Sequence, residues 1–266
     1  MAIEPLDLFK NAVKRADHFL DLYDLVHDSR QRAIRDDWRT SFLSFMRWPK
    51  AEKIVRIDGK DKKSLLIIRE SVGLTRESFT HDYASELLRG AISASVSALD
   101  RYSHELVIKY FLKILNSPIE QQTREFKSIN LPINAVRRAI ERIRENRAAR
   151  PGNSIKEEVR KILHRDFTFQ NSSNITKASR ILGVDDFWRK MCVEYGGGIG
   201  SQQLQDQLNS IAKRRNQIVH ESDLIIQERA REVKMRPITK QEALDAVTFL
   251  KAFVTAMESV VVAEMT

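Results

Sequence analysis

The strongest constraint on the fold is a stripe of apolar residues in the middle of the chain. Between Thr80 and Asn116, apolar side chains recur at steps of 4, 4, 3, 3, 4 and 4 residues, at Leu88, Ile92, Val96, Leu99, Tyr102, Leu106 and Tyr110. This spacing keeps one face of an α-helix apolar along the whole segment. A helix of about 35 residues, rising about 1.5 Å per residue, is roughly 50 Å long. The segment therefore predicts one long helix, which Ser117-Pro118 ends.

Two further segments predict helices, and one predicts a hairpin. Residues 5–47 are predicted as helix from the stripe Phe9, Val13, Ala16, Leu20 and Tyr23. Residues 53–71 hold two β-prone runs around Asp58-Gly59, which is typical of a β-hairpin. A closing helix at about 239–264 has a stripe that suits a bundle core or a subunit seam, at Ala243, Val247, Leu250, Val254, Met257 and Val261. We predict an all-α helical bundle with an N-terminal helix and a small β-hairpin, divided into an extension at 1–78 and a helical domain at 79–266.

Composition and charge indicate which partners and which cellular compartment suit the protein. The 266 residues include 45 basic and 36 acidic side chains, for a formal charge of +9, and the excess favours polyanionic partners such as RNA. The first residues lack an apolar signal core, and the single cysteine, Cys192, excludes an intramolecular disulfide. No apolar run approaches the roughly 20 residues that cross a bilayer. We expect a cytoplasmic protein with no membrane partner, no cofactor and no metal site, since the histidines are scattered.

The stretch KRRNQIVHESD, residues 213–223, places a charge where an apolar residue is expected. Leu204, Leu208 and Ile211 form a helical stripe whose next position is 215, and Arg215 occupies it. A charge that starts from the inward side of a helix is costly unless it meets a partner or lines a site. Arg215 is therefore a candidate functional residue.

Arg215, Asn216 and His220 together form a set of groups that can cleave RNA. Asn216 and His220 are four residues apart and share a helix face, while Arg215 lies about 100° round from Asn216. An imidazole transfers protons near neutral pH, and a guanidinium stabilises negative charge on a phosphate. The alternative is a surface arginine in the cluster Lys213-Arg214-Arg215, with a histidine at a helix C-terminus.

An arginine-rich helix at about 132–148 is a second candidate surface for RNA. One interpretation is a solvent-exposed helix face whose arginines form ion pairs with Glu141 and Glu145. The functional interpretation is a basic surface that binds the phosphates of the RNA backbone. We predict RNA contacts at Arg137, Arg138, Arg142, Arg144, Lys213 and Arg214.

Three segments in a fixed order resemble the RiboL-PSP-HEPN type of the HEPN superfamily. They are ELLRGAISASVSALDRYSHELV at 86–107, LQDQLNSIAKRRNQIVHESD at 204–223 and ITKQEALDAVTFLKAFV at 238–254. The resemblance implies a helical bundle that forms a homodimer, with two Arg-polar-x3-His motifs facing one cleft. Such proteins are commonly metal-independent endoribonucleases of antiphage-defence or toxin–antitoxin systems, which implies a regulatory or antitoxin protein as a further partner.

Carried over residue by residue, the resemblance makes Arg215 and His220 the catalytic pair and Asn216 the polar residue after the arginine. Asp100, on the long helix, is the candidate for an acidic residue that faces the motif; the alternative is a helix-surface pair with His104. The expected products are a 2′,3′-cyclic phosphate and a 5′-hydroxyl. A non-catalytic HEPN domain that binds RNA or a partner, a defence scaffold and a DNA-binding regulator stay open as alternatives.

Overall fold

The computed structural model describes residues 3–60, 64–74, 80–145, 152–225 and 234–265. The α-helices are α1 Pro5–Val26, α2 Asp36–Phe45, α3 His81–Leu115, α4 Arg124–Lys127, α5 Ile133–Glu145, α6 Gly152–Asp166, α7 Ser172–Ile181, α8 Phe187–Tyr195, α9 Ser201–His220 and α10 Lys240–Met265. The strands are β1 Arg30–Arg32, β2 Ile54–Asp58 and β3 Leu65–Arg69. The predicted helical fold with a small hairpin is confirmed.

The long predicted helix is α3, and it lies at the centre of the bundle. Helices α1, α6, α9 and α10 pack around it. Burial extends beyond the apolar stripe to polar side chains, because neighbours cover α3 on several sides; Arg89 and His104 are 4% and 1% exposed. Buried polar groups of this kind require hydrogen-bond partners inside the protein.

The N-terminal segment departs from its prediction. A single helix over residues 5–47 is wrong: α1 ends at Val26, and α2 begins only at Asp36. Asp28, between them, has a left-handed backbone with φ 57°. The physical reason lies in residues 28–37, DSRQRAIRDD, where charged and polar side chains leave no apolar stripe to hold a helix on the core.

The hairpin is present and gains a third strand. Strands β2 and β3 pair antiparallel, with Ile54 opposite Arg69 and Asp58 opposite Leu65. Strand β1 pairs antiparallel with the other edge of β2. The sheet carries exposed basic residues on β1 and does not displace α1 from the bundle.

Helix α1 packs into the same buried cluster as α3 and α10. Phe9 contacts Tyr102 edge-on, with ring centroids 6.0 Å apart, and Asp17 accepts a hydrogen bond from Lys251 at 2.6 Å. The division of the chain at residue 78 stays a prediction, although the first helix of the predicted extension shares the core of the helical domain.

Helix α10 uses its apolar stripe inside the chain. All six predicted stripe residues are buried, and α10 packs on α1, α3 and α8, so the stripe forms a bundle core. By length and composition α10 is also long and apolar enough to cross a membrane, contrary to the expectation that no segment is. A core helix meets the same criterion, and burial accounts for the apolar character of α10.

Candidate catalytic site at the end of α9

Helix α9 carries the three residues of the predicted catalytic set and ends at the last of them. It is held against the bundle by Leu204, Leu208, Ile211 and Ala212, all buried. Gly200 is its N-cap. Gly196, Gly197 and Gly198 precede it with φ between 68° and 77°, a conformation that favours glycine and sets the direction of entry into α9.

The structure brings Arg215, Asn216 and His220 together. Nη1 of Arg215 donates to Oδ1 of Asn216 at 3.1 Å and lies 3.4 Å from Nε2 of His220. A guanidinium N–H can only donate, so the imidazole nitrogen that faces it is the acceptor in this arrangement. A neutral His220 therefore has its proton on Nδ1 and presents the lone pair of Nε2, the form that can accept a proton.

Arg215 keeps unused hydrogen-bonding capacity. It is half-buried, it forms no ion pair with any carboxylate of the described residues, and its buried Nε has no hydrogen-bond partner among them. Nη2 also has no hydrogen-bond partner among them, and it is the donor that a ligand with oxygen acceptors can reach. The site thus offers an uncompensated guanidinium next to an exposed imidazole.

Arg214, the preceding residue, has the opposite environment. Its side chain is 13% exposed. It donates to both carboxylate oxygens of Asp223, to Oε1 of Glu242 at 2.9 Å and to the carbonyl of Pro237 at 3.2 Å. Its donors are occupied by protein acceptors, so the geometry supports a structural role for Arg214 in place of the predicted RNA contact.

A buried ion-pair network, which sequence reasoning missed, fixes the end of α9. Asp223 is fully buried, and Oδ2 accepts from Nε of Arg89 on α3 at 2.6 Å. Arg89 also donates to Ser85 at 2.6 Å and to the carbonyl of Arg236 at 2.8 Å. The backbone N–H of Asp223 donates to the carbonyl of Gln217 at 2.9 Å.

This network holds the turn that follows His220 and so fixes the end of α9, where the catalytic candidates lie. Ser222 and Asp223 have φ 51° and 56°, so the chain turns sharply directly after His220 and returns into the core. Helical periodicity does not reveal this pair, because Arg89 lies next to Leu88 and off the apolar stripe of α3.

Asp100 lies away from the candidate site. Its carboxylate accepts from the backbone N–H of Phe169 at 2.5 Å. Its backbone carbonyl accepts from Nδ1 of His104 at 2.8 Å. Among the described residues no hydrogen bond or ion pair joins Asp100 to Arg215 or His220. Asp100 pairs with His104 on the same helix at 3.8 Å, but His104 is buried, so this is not the helix-surface pair of the alternative.

The predicted RNA-contact residues of α5 are only partly described. Arg137 forms an i,i+4 ion pair with Glu141 at 3.4 Å, and Arg144 is exposed. The side chains of Arg138 and Arg142 lie outside the described part of the structure. Helix α5 packs on α6.

Lys213 is exposed and lines a cavity next to the candidate catalytic residues. The cavity has a volume of about 380 Å³. Its wall also includes Asn171, Asn209, Asn216 and Gln217, so the catalytic set and the cavity share Asn216. No cluster of three or more His, Cys, Asp or Glu side chains that could hold a metal ion is found among the described residues.

The model of the RiboL-PSP-HEPN family matches residues 61–263. The chain belongs to this family. The match starts before the segments that carried the resemblance and includes β3, which leaves α1, α2, β1 and β2 outside it. No curated protein and no solved structure matches the chain.

Membership of the RiboL-PSP-HEPN family indicates a nuclease or RNA-binding role. It places α3, α9 and α10 in one family unit, the helices that hold Arg89, the catalytic candidates and Glu242. The ion-pair network therefore lies wholly within the family domain.

Proposed function

We propose that this RiboL-PSP-HEPN protein is a metal-independent endoribonuclease whose site is Arg215, Asn216 and His220. The observation that carries the proposal is the contrast between two adjacent arginines. Arg214 is bonded to two carboxylates, whereas Arg215 has no carboxylate partner among the described residues and lies 3.4 Å from His220. A cation that the fold leaves uncompensated beside an imidazole suits a phosphodiester substrate.

The proposed reaction uses the 2′-hydroxyl of the RNA as its nucleophile. Nε2 of His220 takes the proton of the 2′-hydroxyl, and O2′ forms a bond to phosphorus as the bond from phosphorus to O5′ breaks. An imidazolium returns a proton to O5′, which leaves a 5′-hydroxyl and a 2′,3′-cyclic phosphate. No external nucleophile enters this step, so it needs no metal-bound water. DNA is spared because it lacks the 2′-hydroxyl.

Arg215 and Asn216 have separate tasks in this scheme. Arg215 donates to the phosphate oxygens, whose negative charge grows in the transition state. The Asn216 carbonyl holds Nη1 of Arg215 at 3.1 Å and so limits the positions that the guanidinium can adopt. Because Nη1 is shared between Asn216 and His220 and Nε is buried, Nη2 is the donor left for the phosphate.

We further propose that a second copy of His220, from the other subunit of a homodimer, supplies the imidazolium. Support comes from Val219, an apolar residue beside His220 that is 48% exposed and that a partner subunit would cover. The stripe on α10 is buried within the chain, so the dimer seam would involve the end of α9.

Cleavage of a mixed RNA pool in EDTA tests the proposal. Wild-type protein is compared with Arg215→Ala, His220→Ala and the control Arg189→Ala, whose side chain is 72% exposed on α8. We expect cyclic phosphate ends from the wild type and the control, and none from the other two variants. Cutting that survives in both site variants would refute the assignment.

A toxin or antiphage-effector role, restrained by a regulatory or antitoxin protein, is the proposed setting. Such an enzyme cuts RNA of its own cell, so expression of the wild type should stop growth while His220→Ala should not. Equal growth arrest by both proteins would show that toxicity does not depend on His220.

A non-catalytic, partner-binding role is the second candidate, and one observation favours it. Phe45 at the end of α2 is 84% exposed, and Leu65 and Val72 are 53% and 59% exposed in the same N-terminal part. Apolar side chains of this size in solvent are typical of contact surfaces when they cluster. RNA that is bound but never cut, with equal affinity for wild type and Arg215→Ala, would favour this role.

A further inference from the structure

The cavity beside the catalytic candidates presents an unusual set of hydrogen-bonding groups. Three asparagines line it: Asn171 at the start of α7, and Asn209 and Asn216 on α9. Each amide uses its carbonyl oxygen within the protein. The oxygen of Asn171 accepts from the backbone N–H of Asn174 at 2.9 Å, that of Asn209 from Ser172 N–H at 2.9 Å, and that of Asn216 from Arg215 at 3.1 Å.

The orientation of all three amides follows from their partners. A backbone N–H and a guanidinium N–H can only donate, so an oxygen must face each of them. The NH₂ group of each amide is then the free end, and none of the three donates to a described residue. The cavity wall therefore contains three amide groups whose NH₂ ends have no partner among the described residues. The hydroxyls of Ser172 and Ser173, the amide of Gln217 and the carboxylate of Glu221 complete its polar lining.

Lys213 adds a positive charge to these donors. Its side chain is exposed, lines the cavity and forms no ion pair with the described residues. Glu221 also lines the cavity, but its Oε2 lies 3.4 Å from Nη2 of Arg236. Three amide donors and an ammonium group match a ligand that has only acceptors and carries negative charge, which is a phosphate.

We propose that this cavity is a phosphate subsite, which holds the RNA backbone phosphate next to the one that is cleaved. The inference deepens the proposed function and rests on it, because Asn216 joins the two sites: its oxygen orients Arg215, and its NH₂ is free for the neighbouring phosphate. The subsite places the strand so that the scissile phosphate lies at Arg215 and His220. It needs no particular base, since every nucleotide has the same phosphate.

Binding is tested with a fluorescein-labelled 2′-O-methyl RNA, which lacks the nucleophile and is not cut. Anisotropy titrations at several salt concentrations give the slope of log affinity against log salt. Lys213→Ala should reduce this slope by about 0.7, the value for one phosphate contact on a single strand. The matched control is Lys177→Ala, an exposed lysine on α7 outside the cavity wall. Equal slopes for the two lysine variants would overturn the subsite.

A second variant separates binding from folding. Asn209→Asp keeps an oxygen for Ser172 N–H and places a negative charge near the start of α7, where the helix dipole favours it. Thermal unfolding should therefore match the wild type, while RNA affinity falls at least about fivefold, because a donor is replaced by an anion next to a phosphate. A purely structural Asn209 predicts unchanged affinity, and that result would also overturn the proposal.

Cleavage of a DNA strand with a single ribonucleotide then locates the subsite. An uncharged methylphosphonate replaces the phosphate on one side or the other of the scissile linkage. One of the two substitutions should slow the wild type about tenfold and leave Lys213→Ala unaffected. Cleavage indifferent to both would refute the subsite but keep the nuclease. RNA binding that depends on Lys213, without any cleavage, would refute the nuclease but keep the anion site.

Discussion

Replacing Asp223 with Asn removes the charge between Arg89 and Arg214 and keeps the shape of the side chain. Asp223 is fully buried, and its Oδ2 accepts from Arg89 at 2.6 Å and from Arg214 at 3.1 Å. Asn tolerates the left-handed backbone at this position, φ 56°, so the change adds little strain. Two guanidinium groups would then face a neutral side chain, and their remaining carboxylate partners would be Glu242 at Arg214 and Glu86 at Arg89.

The expected cost follows from the burial of the pair. Removing one charge from a buried ion pair costs about 3 to 5 kcal/mol. The amide oxygen of Asn still accepts a hydrogen bond, so we expect the lower end, about 3 kcal/mol. For a chain of this size that loss lowers Tm by about 6 to 12 °C.

Urea unfolding followed by circular dichroism measures this cost, because a change in midpoint at constant m-value reports stability. The control is Asp17→Asn in the exposed pair with Lys251, whose side chains are 38% and 41% exposed, and we expect a loss below about 1 kcal/mol there. If Asp223→Asn lost no more than Asp17→Asn, the network would not hold the end of α9, and our account of how His220 is positioned would be wrong.

Three further predictions concern the two arginines and a histidine pair. Arg215→Lys should lower cleavage at least about tenfold, because an ammonium lacks the planar guanidinium that contacts Asn216 and His220 through one nitrogen and leaves another for the phosphate. Unfolding should change by less than about 1 kcal/mol; equal cleavage would show that only charge matters. Arg214→Met should instead cost about 3 kcal/mol of stability, measured by urea unfolding, because Asp223 loses a partner. His164 stacks on His104, with ring centroids 4.3 Å apart, and partial burial followed by the nearby His104 lowers its pKa. The folded protein therefore favours the neutral imidazole of His164, and this contribution to stability is present above about pH 6.5 and is lost as the pH falls. The free energy of unfolding of His164→Asn should consequently change less between about pH 7 and 5 than that of the wild type. An unchanged pH dependence would contradict this.

The sequence predicted the elements whose stability depends on local periodicity. The bounds of α3 and α10 follow their apolar stripes, and the hairpin follows its β-prone runs. The break between α1 and α2 was missed because a helix was extended beyond its last stripe residue, Tyr23, into a charged segment. Strand β1 was also missed, because its three residues are polar and exposed. They pair with β2 through backbone hydrogen bonds, and no pattern of side chains predicts that pairing.

The sequence predicts contacts in the candidate site only between residues that are close along the chain. Arg215, Asn216 and His220 lie within one stretch of helix, so spacing alone brings them within reach of each other. Arg89 and Asp223 are 134 positions apart. Their pairing depends on how α3 and α9 are packed, and spacing along one helix contains no information about that.

The two arginines of the motif show where sequence reasoning stops and packing decides. Both Arg214 and Arg215 lie in one basic cluster, and helical periodicity predicts only that Arg215 starts from the inward side. Packing places Glu242 of α10 and the returning chain at Asp223 against Arg214, so that its charge is compensated by carboxylates and its donors are satisfied. Arg215, about 100° further round the helix, meets His220 and no carboxylate of the described residues. An arginine that is paired with carboxylates stabilises the protein, whereas an arginine that is held in place without a carboxylate partner is available to a substrate. The positions of the acidic partners, and not the positions of the arginines along the helix, therefore distinguish the two roles.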